Sequence, residues 1–221
     1  SLRASMQRLR VERIDLLLLH SQLQPDDGPF APRLLSVRPF REVVRPAFER
    51  LRDEGAIGGW GLTGVGNLRA LDEVLSDDSL PDAIQCVANA LDLTGDMWQF
   101  GADERPDNAG DRARAVQAGV PVMGIRALAA GSLADSLDRP VEADHPAARD
   151  HAAAAGFRRL AAQRGESPAL LAHRYALTMP ELATVVLGVK NRAELEECIA
   201  AEAAGPLSDD EVRAIAALSA S

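Results

Sequence analysis

Arg13-Ile14-Asp15-Leu16-Leu17-Leu18-Leu19-His20 is the stretch on which the reading of this chain turns. Five of the eight residues are aliphatic, the pattern of a strand covered on both faces in a parallel sheet. His20 closes the run, so a polar group is delivered at the carboxyl end of a strand, where α/β proteins collect their chemistry. An imidazole behind four leucines, against an apolar wall, suits a general acid or a hydrogen-bond donor to a carbonyl. Taken alone, the residue also fits a core histidine bonded to backbone.

The residues after His20 alternate between strand and helix patterns. A loop over 21–39 precedes a helix whose apolar face is Val43, Val44, Ala47, Phe48 and Leu51, with Gly55 as its stop. Strands are expected at 58–63, 84–88, 120–125 and 184–187, and helices at 67–75, 111–118, 152–164, 168–177 and 192–203. Ser208 and Glu211 have the spacing of a capping box and open a last helix. Leu2, Met6 and Leu9 already follow helical spacing, so an element is expected from the first residues. Five strands, each followed by a helix, make a parallel α/β architecture with right-handed crossovers.

Composition narrows the function classes. With 221 residues and 47% hydrophobic content, the chain is long enough for one globular domain with a core. A net charge of −9 argues against a nucleic-acid or anionic-membrane surface. Cys86 and Cys198 are far apart and lack metal-type spacing, so neither a disulfide framework nor a zinc site is indicated, and a cytoplasmic location is expected. No apolar run is long enough to span a bilayer.

Three further groups could carry chemistry. Gly61-Leu62-Thr63-Gly64 ends a strand, while Gln85 places an amide within an apolar strand and Asn89 follows at its exit. Buried amides need partners, which a flat carboxamide ligand or neighbouring backbone would supply. Leu187-Gly188-Val189-Lys190-Asn191 leads into a helix, and helix-start N–H groups beside a lysine make either a phosphate site or a capped helix with a solvated lysine. His145 and His151 sit among Asp144 and Asp150 in a polar excursion, and His173 lies on a helix beside Arg174; all three read as structural or solvated.

In order along the chain, these segments resemble the aldo-keto reductase family. The matches are 13–20, the 48–57 helix feeding Gly59-Trp60-Gly61-Leu62-Thr63, the strand from Gln85 to Asn89, Ala127-Leu128-Ala129-Ala130-Gly131-Ser132-Leu133, and 186–191 with Glu194 and Glu197. The resemblance implies a (β/α)8 TIM-barrel type of fold and an oxidoreductase that transfers a hydride between NADP, or alternatively NAD, and the carbonyl of an aldehyde, ketone or sugar. By the same resemblance His20 is the active-site histidine orienting the carbonyl, and Thr63, Gly64, Gln85 and Asn89 surround the nicotinamide carboxamide. Arg126 stands where many members stack a tyrosine on the nicotinamide, and Leu128 to Leu133, with Leu128 and Gly131 as cofactor contacts, resemble the loop along the pyrophosphate. Gly188, Lys190, Asn191, Glu194 and Glu197 meet the adenosine end, with Cys198 where an asparagine commonly contacts adenine. Lys190 favours a 2′-phosphate by charge pairing.

The family's catalytic Asp, Tyr and Lys come from its second and third strands. The five strands counted here match the fourth to eighth, so residues 1–221 are expected to be one aldo-keto reductase domain lacking its first three βα units, an incomplete barrel that is inactive by itself. Tyr175, the sole tyrosine, reads as a packing residue in a helix. Omitting three strands would leave unpaired edges and an inner face with Leu17 and Leu19 exposed, which predicts self-association. Trp98 and Phe100 are candidates for an apolar specificity wall. Two alternatives are a non-catalytic partial barrel that binds a nucleotide or is completed by a partner, and a barrel lyase whose Gly188 and Lys190 hold a substrate phosphate.

Overall fold

The computed structural model describes residues 2–30, 33–94, 97 and 105–220, with side chains through 218. The chain divides into two compact units, residues 1–85 with 100–122, and residues 86–99 with 123–221. Trp98 and Phe100 lie outside the described residues.

In the first unit a short helix, α1 (Leu2–Leu9), leads into β1 (Ile14–Leu19), the quoted run. β2 (Leu23–Gln24) and β3 (Leu35–Ser36) pair with each other in parallel inside the stretch expected to be loop. Buried Gln24 organises this ribbon: its amide donates to Ser36 Oγ (3.2 Å) and its carbonyl accepts from the Phe30 N–H (3.0 Å). The chain then winds through α2 (Val37–Pro39), a π-turn over Phe40–Val44 and α3 (Arg45–Asp53). The π-turn has a physical cause in Pro46, which has no N–H for the Glu42 carbonyl and crowds it, so the preceding turn widens. The widening shifts the helix phase. Val43, expected on the buried face, is 64% exposed, whereas Val37 and Phe40 are fully buried.

Gly55, at φ +74°, ends α3, and the Ala56 N–H reaches back to the Leu51 carbonyl (2.9 Å), a left-handed helix stop. β4 (Ile57–Thr63) follows and pairs in parallel with β1, Leu16 opposite Gly59 and Leu19 opposite Leu62. Its other neighbour is β5 (Ala83–Val87), giving the order β1-β4-β5. Gly61 permits this close pairing, since a Cβ there would lie 2.5 Å from the Ala83 carbonyl oxygen. Trp60 is fully buried between Phe40 and Phe48, ring centroids 6.1 and 6.0 Å away. α4 (Leu68–Leu75) starts at Asn67, whose side chain caps the Arg69 and Ala70 N–H groups, and it packs against α5 (Asn108–Gln117). Asp77 beyond α4 holds both Arg41 (2.8 Å) and Arg45 (2.7 Å).

β1 differs from expectation in burial: Leu16 to Leu19 are all only half-buried. It ends the strand order and pairs only with β4 among the described residues, so its continuous apolar run lies on an edge strand.

The second unit orders the end of β5 with β6 (Val122–Ile125) and β7 (Leu182–Val185). β7 begins two residues earlier than the sequence pattern indicates, and the Val186 N–H still donates to the Gly124 carbonyl (2.8 Å). The expected helix over 152–164 is two helices, α6 (Pro146–Ala153) and α7 (Ala155–Arg164). His145 caps α6 through Nδ1, which accepts the Ala147 N–H. α8 (Pro168–Thr178), α9 (Arg192–Ala204) and α10 (Asp209–Ala216) complete the unit. Its core joins Leu133, Phe157, Leu171, Leu207 and Ile215 with several buried alanines, and Tyr175 packs against it as expected.

Ser208 and Glu211 form the capping box. Glu211 also bonds Arg164, which binds Glu166 (3.0 Å), which in turn accepts from Arg174 (2.9 Å). The Ser208 N–H and then the Arg164 guanidinium hold the Glu211 carboxyl down to about 2. A depressed carboxylate stabilises the fold above its ordinary value of 4.5, and that contribution is lost as pH falls toward 2. Glu211→Gln should therefore lose about 1 kcal/mol at pH 7, with a quarter of the side chain still solvated, and the difference should vanish near pH 2. Denaturant midpoints of both proteins across pH 2–7 check this.

Candidate functional site

The sequence-derived candidates fall into one cluster in each unit. In the first, parallel pairing brings the exits of β1, β4 and β5 to the same end. His20 follows β1 directly and is exposed, with β1 half-buried before it, so the expected apolar wall does not enclose the ring. Thr63, buried at the end of β4, donates its hydroxyl to the Leu19 carbonyl (2.9 Å), fixing the backbone immediately before His20. The Gly64 N–H donates to the Gln85 carbonyl (2.7 Å), and the Gln85 side chain is half-buried in β5.

The second unit contains a cavity of about 660 Å³, within the size range of ligand sites. Arg126, Leu128, Gly131, Gly188, Lys190, Glu194 and Glu197 all line it, although they come from two segments far apart in sequence. Asn191 is absent from its wall and caps α9: its Oδ1 accepts the Glu194 N–H (3.0 Å) and its Nδ2 donates to Glu194 Oε1 (3.0 Å). Asn89 is likewise engaged locally, exchanging two 2.8 Å bonds with the Leu93 backbone, so its buried amide is satisfied without a ligand.

Lys190 has two carboxylate neighbours. Its ammonium binds Asp138 Oδ2 (2.7 Å) and lies 3.9 Å from Glu194 Oε1. Its backbone N–H donates to Glu194 Oε2 (2.7 Å). The start of α9 is thus capped by its own side chains, and the Lys190 ammonium shares its charge with two carboxylates. Hydrogen bonding to Lys190 holds the Asp138 carboxyl below the usual range, and the same bond raises the lysine.

Several wall residues carried no functional signal in the sequence. Asp135, Asp138 and Ser167 line the cavity, and Ser167 donates to Glu197. His173, expected to be structural or solvated, is 4% exposed and belongs to the wall; its Nε2 lies 3.6 Å from Cys198 Sγ. Its Nδ1 has no hydrogen-bond partner among the described residues. Burial pushes the imidazole down, so it is neutral at pH 7. Burial first, then Glu197 and Glu194, push the Cys198 thiol up, which keeps it a thiol rather than a nucleophilic thiolate.

One wall is backbone under strain. Arg126, Ala129 and Ala130 have φ of 60°, 46° and 56°, a left-handed conformation that L-residues avoid, and Gly131 follows at 93°. Backbone bonds from Ala129 N to Arg126 O (2.8 Å) and from Gly131 N to Leu128 O (2.9 Å) hold the curl in place.

The Aldo/keto reductase family model matches residues 1–220. The chain belongs to the aldo/keto reductase family. Its fold is accordingly of the α/β, (β/α)8-barrel type, and the family is one of oxidoreductases. Among solved structures it is similar to the aldo-keto reductase AKR11C1 from Bacillus halodurans, with 22% identity in both the apo and the holo form. TM-scores are 0.64 and 0.66, and the match covers 98% of this chain but 66% and 62% of those chains. The chain thus spans just under two thirds of the length of these structures. No curated protein matches it. Among the described residues no helix is long and apolar enough to cross a membrane.

Ala130 is the residue on which the strain can be measured, since Ala129 is buried and Ala130 is only partly so. Ala130→Gly removes a penalty of roughly 1–2 kcal/mol and adds up to about 1 kcal/mol of unfolded-chain entropy. A net gain of up to about 1 kcal/mol in thermal or denaturant unfolding is expected.

Proposed function

We propose that this chain is the major part of a nicotinamide-dependent oxidoreductase acting on the carbonyl of an aldehyde, ketone or sugar. The observation that carries the reading is the convergence of Arg126, Leu128, Gly131, Gly188, Lys190, Glu194 and Glu197 on one cavity. The residues fit a dinucleotide's adenosine and diphosphate portions: Arg126 and Arg139 offer guanidinium groups to a diphosphate, Ser167 and Glu197 offer polar atoms to a sugar, and the unpartnered His173 Nδ1 lies buried in the wall.

When bound, the cofactor supplies or accepts the hydride. His20 is assigned to the substrate carbonyl, orienting its oxygen through a ring nitrogen, and Thr63 acts as a positioning residue by anchoring the Leu19 carbonyl. Thr63, Gly64 and Gln85 are assigned to the carboxamide of the nicotinamide. The one tyrosine packs in α8, so proton donation is assigned to groups supplied by preceding barrel strands. By itself the 221-residue chain is therefore proposed to bind without turning over.

The test uses the full natural chain, a panel of aldehydes and ketones, and cofactor carrying deuterium at the transferable position. Deuterium should appear on the carbinol carbon of the product, and its failure to transfer to any member of the panel would sink the reading. His20→Asn should lower kcat by about 10²-fold, the contribution of one positioned acid-base or orienting group, and leave the dinucleotide Kd within about twofold.

The half-buried edge strand β1 supports a second consequence, association of the isolated 221-residue chain through unpaired backbone. Sedimentation velocity should show species heavier than 23.5 kDa, whereas a stable monomer of that mass would count against it.

A further inference from the structure

We infer that the cavity of the second unit selects a dinucleotide without a 2′-phosphate, NAD(H) over NADP(H), through the carboxylates of Glu194 and Asp138 flanking Lys190. The inference rests on the dinucleotide reading above and reverses the preference that the charge of Lys190 alone implies.

A lysine recognises a phosphate when its charge is available, and here two carboxylates are already on it. Asp138 is at 2.7 Å and Glu194 at 3.9 Å from the ammonium. The wall as a whole carries four carboxylates, Asp135, Asp138, Glu194 and Glu197, against three permanent cations, and the neutral His173 adds none. A phosphate dianion reaching Lys190 must compete with Asp138 for its charge and sit close to Glu194.

Asp138 can leave, but Glu194 is held. Its two oxygens accept the Lys190 N–H (2.7 Å) and the Asn191 amide (3.0 Å), while its own N–H goes to Asn191 Oδ1 (3.0 Å). Rotating the carboxylate away gives up both of these bonds and leaves the Asn191 cap of α9 without its brace. A fixed negative charge next to the only lysine in the chain repels a second anion at short range.

A ribose diol has the opposite chemistry. Its hydroxyls donate, and an ionised carboxylate has about four lone-pair sites, of which Glu194 spends two within its own chain. Glu194 remains 36% exposed, so the others are reachable. Carboxylate for a free ribose hydroxyl and cation for a 2′-phosphate is the same complementarity by which other dinucleotide sites tell the two cofactors apart.

Calorimetric titration of the full natural chain with NADH and with NADPH, at fixed ionic strength and pH 7, reads the preference without turnover. NADH should bind at least about tenfold tighter. Glu194→Gln keeps one acceptor for the cap and removes the charge; Asp138→Asn frees Lys190 on an exposed loop where folding is not at stake. Each should narrow the NADH to NADPH ratio by about threefold or more. NADPH binding as tightly as NADH overturns the inference and leaves the dinucleotide reading standing; failure of both to bind overturns both. A ratio unchanged in both variants overturns the assignment to these two carboxylates.

Discussion

Parallel pairing at close range is the constraint on which the first cluster depends. Because β1 and β4 run the same way with Leu19 opposite Leu62, the residues that follow them, His20 and Thr63, emerge together at one end. An antiparallel partner would have sent one of the two to the opposite edge. The pairing is possible because β4 carries glycine where the backbone of β1 crowds in: at Gly58 even a methyl group would collide with the Asp15 carbonyl. Two residues of the same strand thus do different work, Gly58 letting β1 approach and Thr63 using that approach to bond Leu19.

The second cluster is governed by electrostatics rather than by strand register. A lysine in a sequence reads as an available charge, but in a fold its value depends on what has claimed it. Lys190 and Asp138 are 61% and 41% exposed, so their pairing contributes little to stability, of order 0–1 kcal/mol. Its weight lies in the character it gives the cavity: with Glu194 fixed by the helix cap, the lysine becomes part of a mixed, slightly acidic wall. The residue that caps α9, Asn191, also holds the carboxylate that shapes ligand preference.

What could be read from the sequence was whatever rests on local signals. The strands at 57–63 and 83–87 lie within a residue of their hydrophobic runs, and the Ser208 and Glu211 capping box is present as spaced. The π-turn escaped because it is a response to Pro46 within an otherwise regular helical pattern, and it turned Val43 outward. The start of α6 was signalled by His145-Pro146, a cap followed by proline at the first turn, but histidine is seldom the capping residue. The β2 and β3 ribbon depends on Gln24 reaching Phe30 and Ser36, six and twelve residues away, and no periodicity encodes that. Asp138 and Lys190 are 52 residues apart, so their pairing belongs to the fold alone. The family resemblance supplied the cavity-lining residues of the second unit but not the charges that sit beside them.

Two of the costs in the second unit lie at its cavity. Three non-glycine residues hold left-handed backbone between 126 and 130, each at roughly 1–2 kcal/mol, and a buried imidazole nitrogen has no partner among the described residues, at about 1–3 kcal/mol. Alanines favour regular helix, so nothing in Ala129-Ala130 asks for this geometry. The surrounding packing imposes it: Ala129 is buried in the core with Leu133 and Phe157, and Ser132, fully buried, accepts Arg158 through its carbonyl (3.2 Å). A segment pinned on both sides in this way holds its curl before any ligand arrives. The strain is therefore a cost of folding rather than of binding, and a ligand that gives His173 Nδ1 a hydrogen bond gains from a wall already in place.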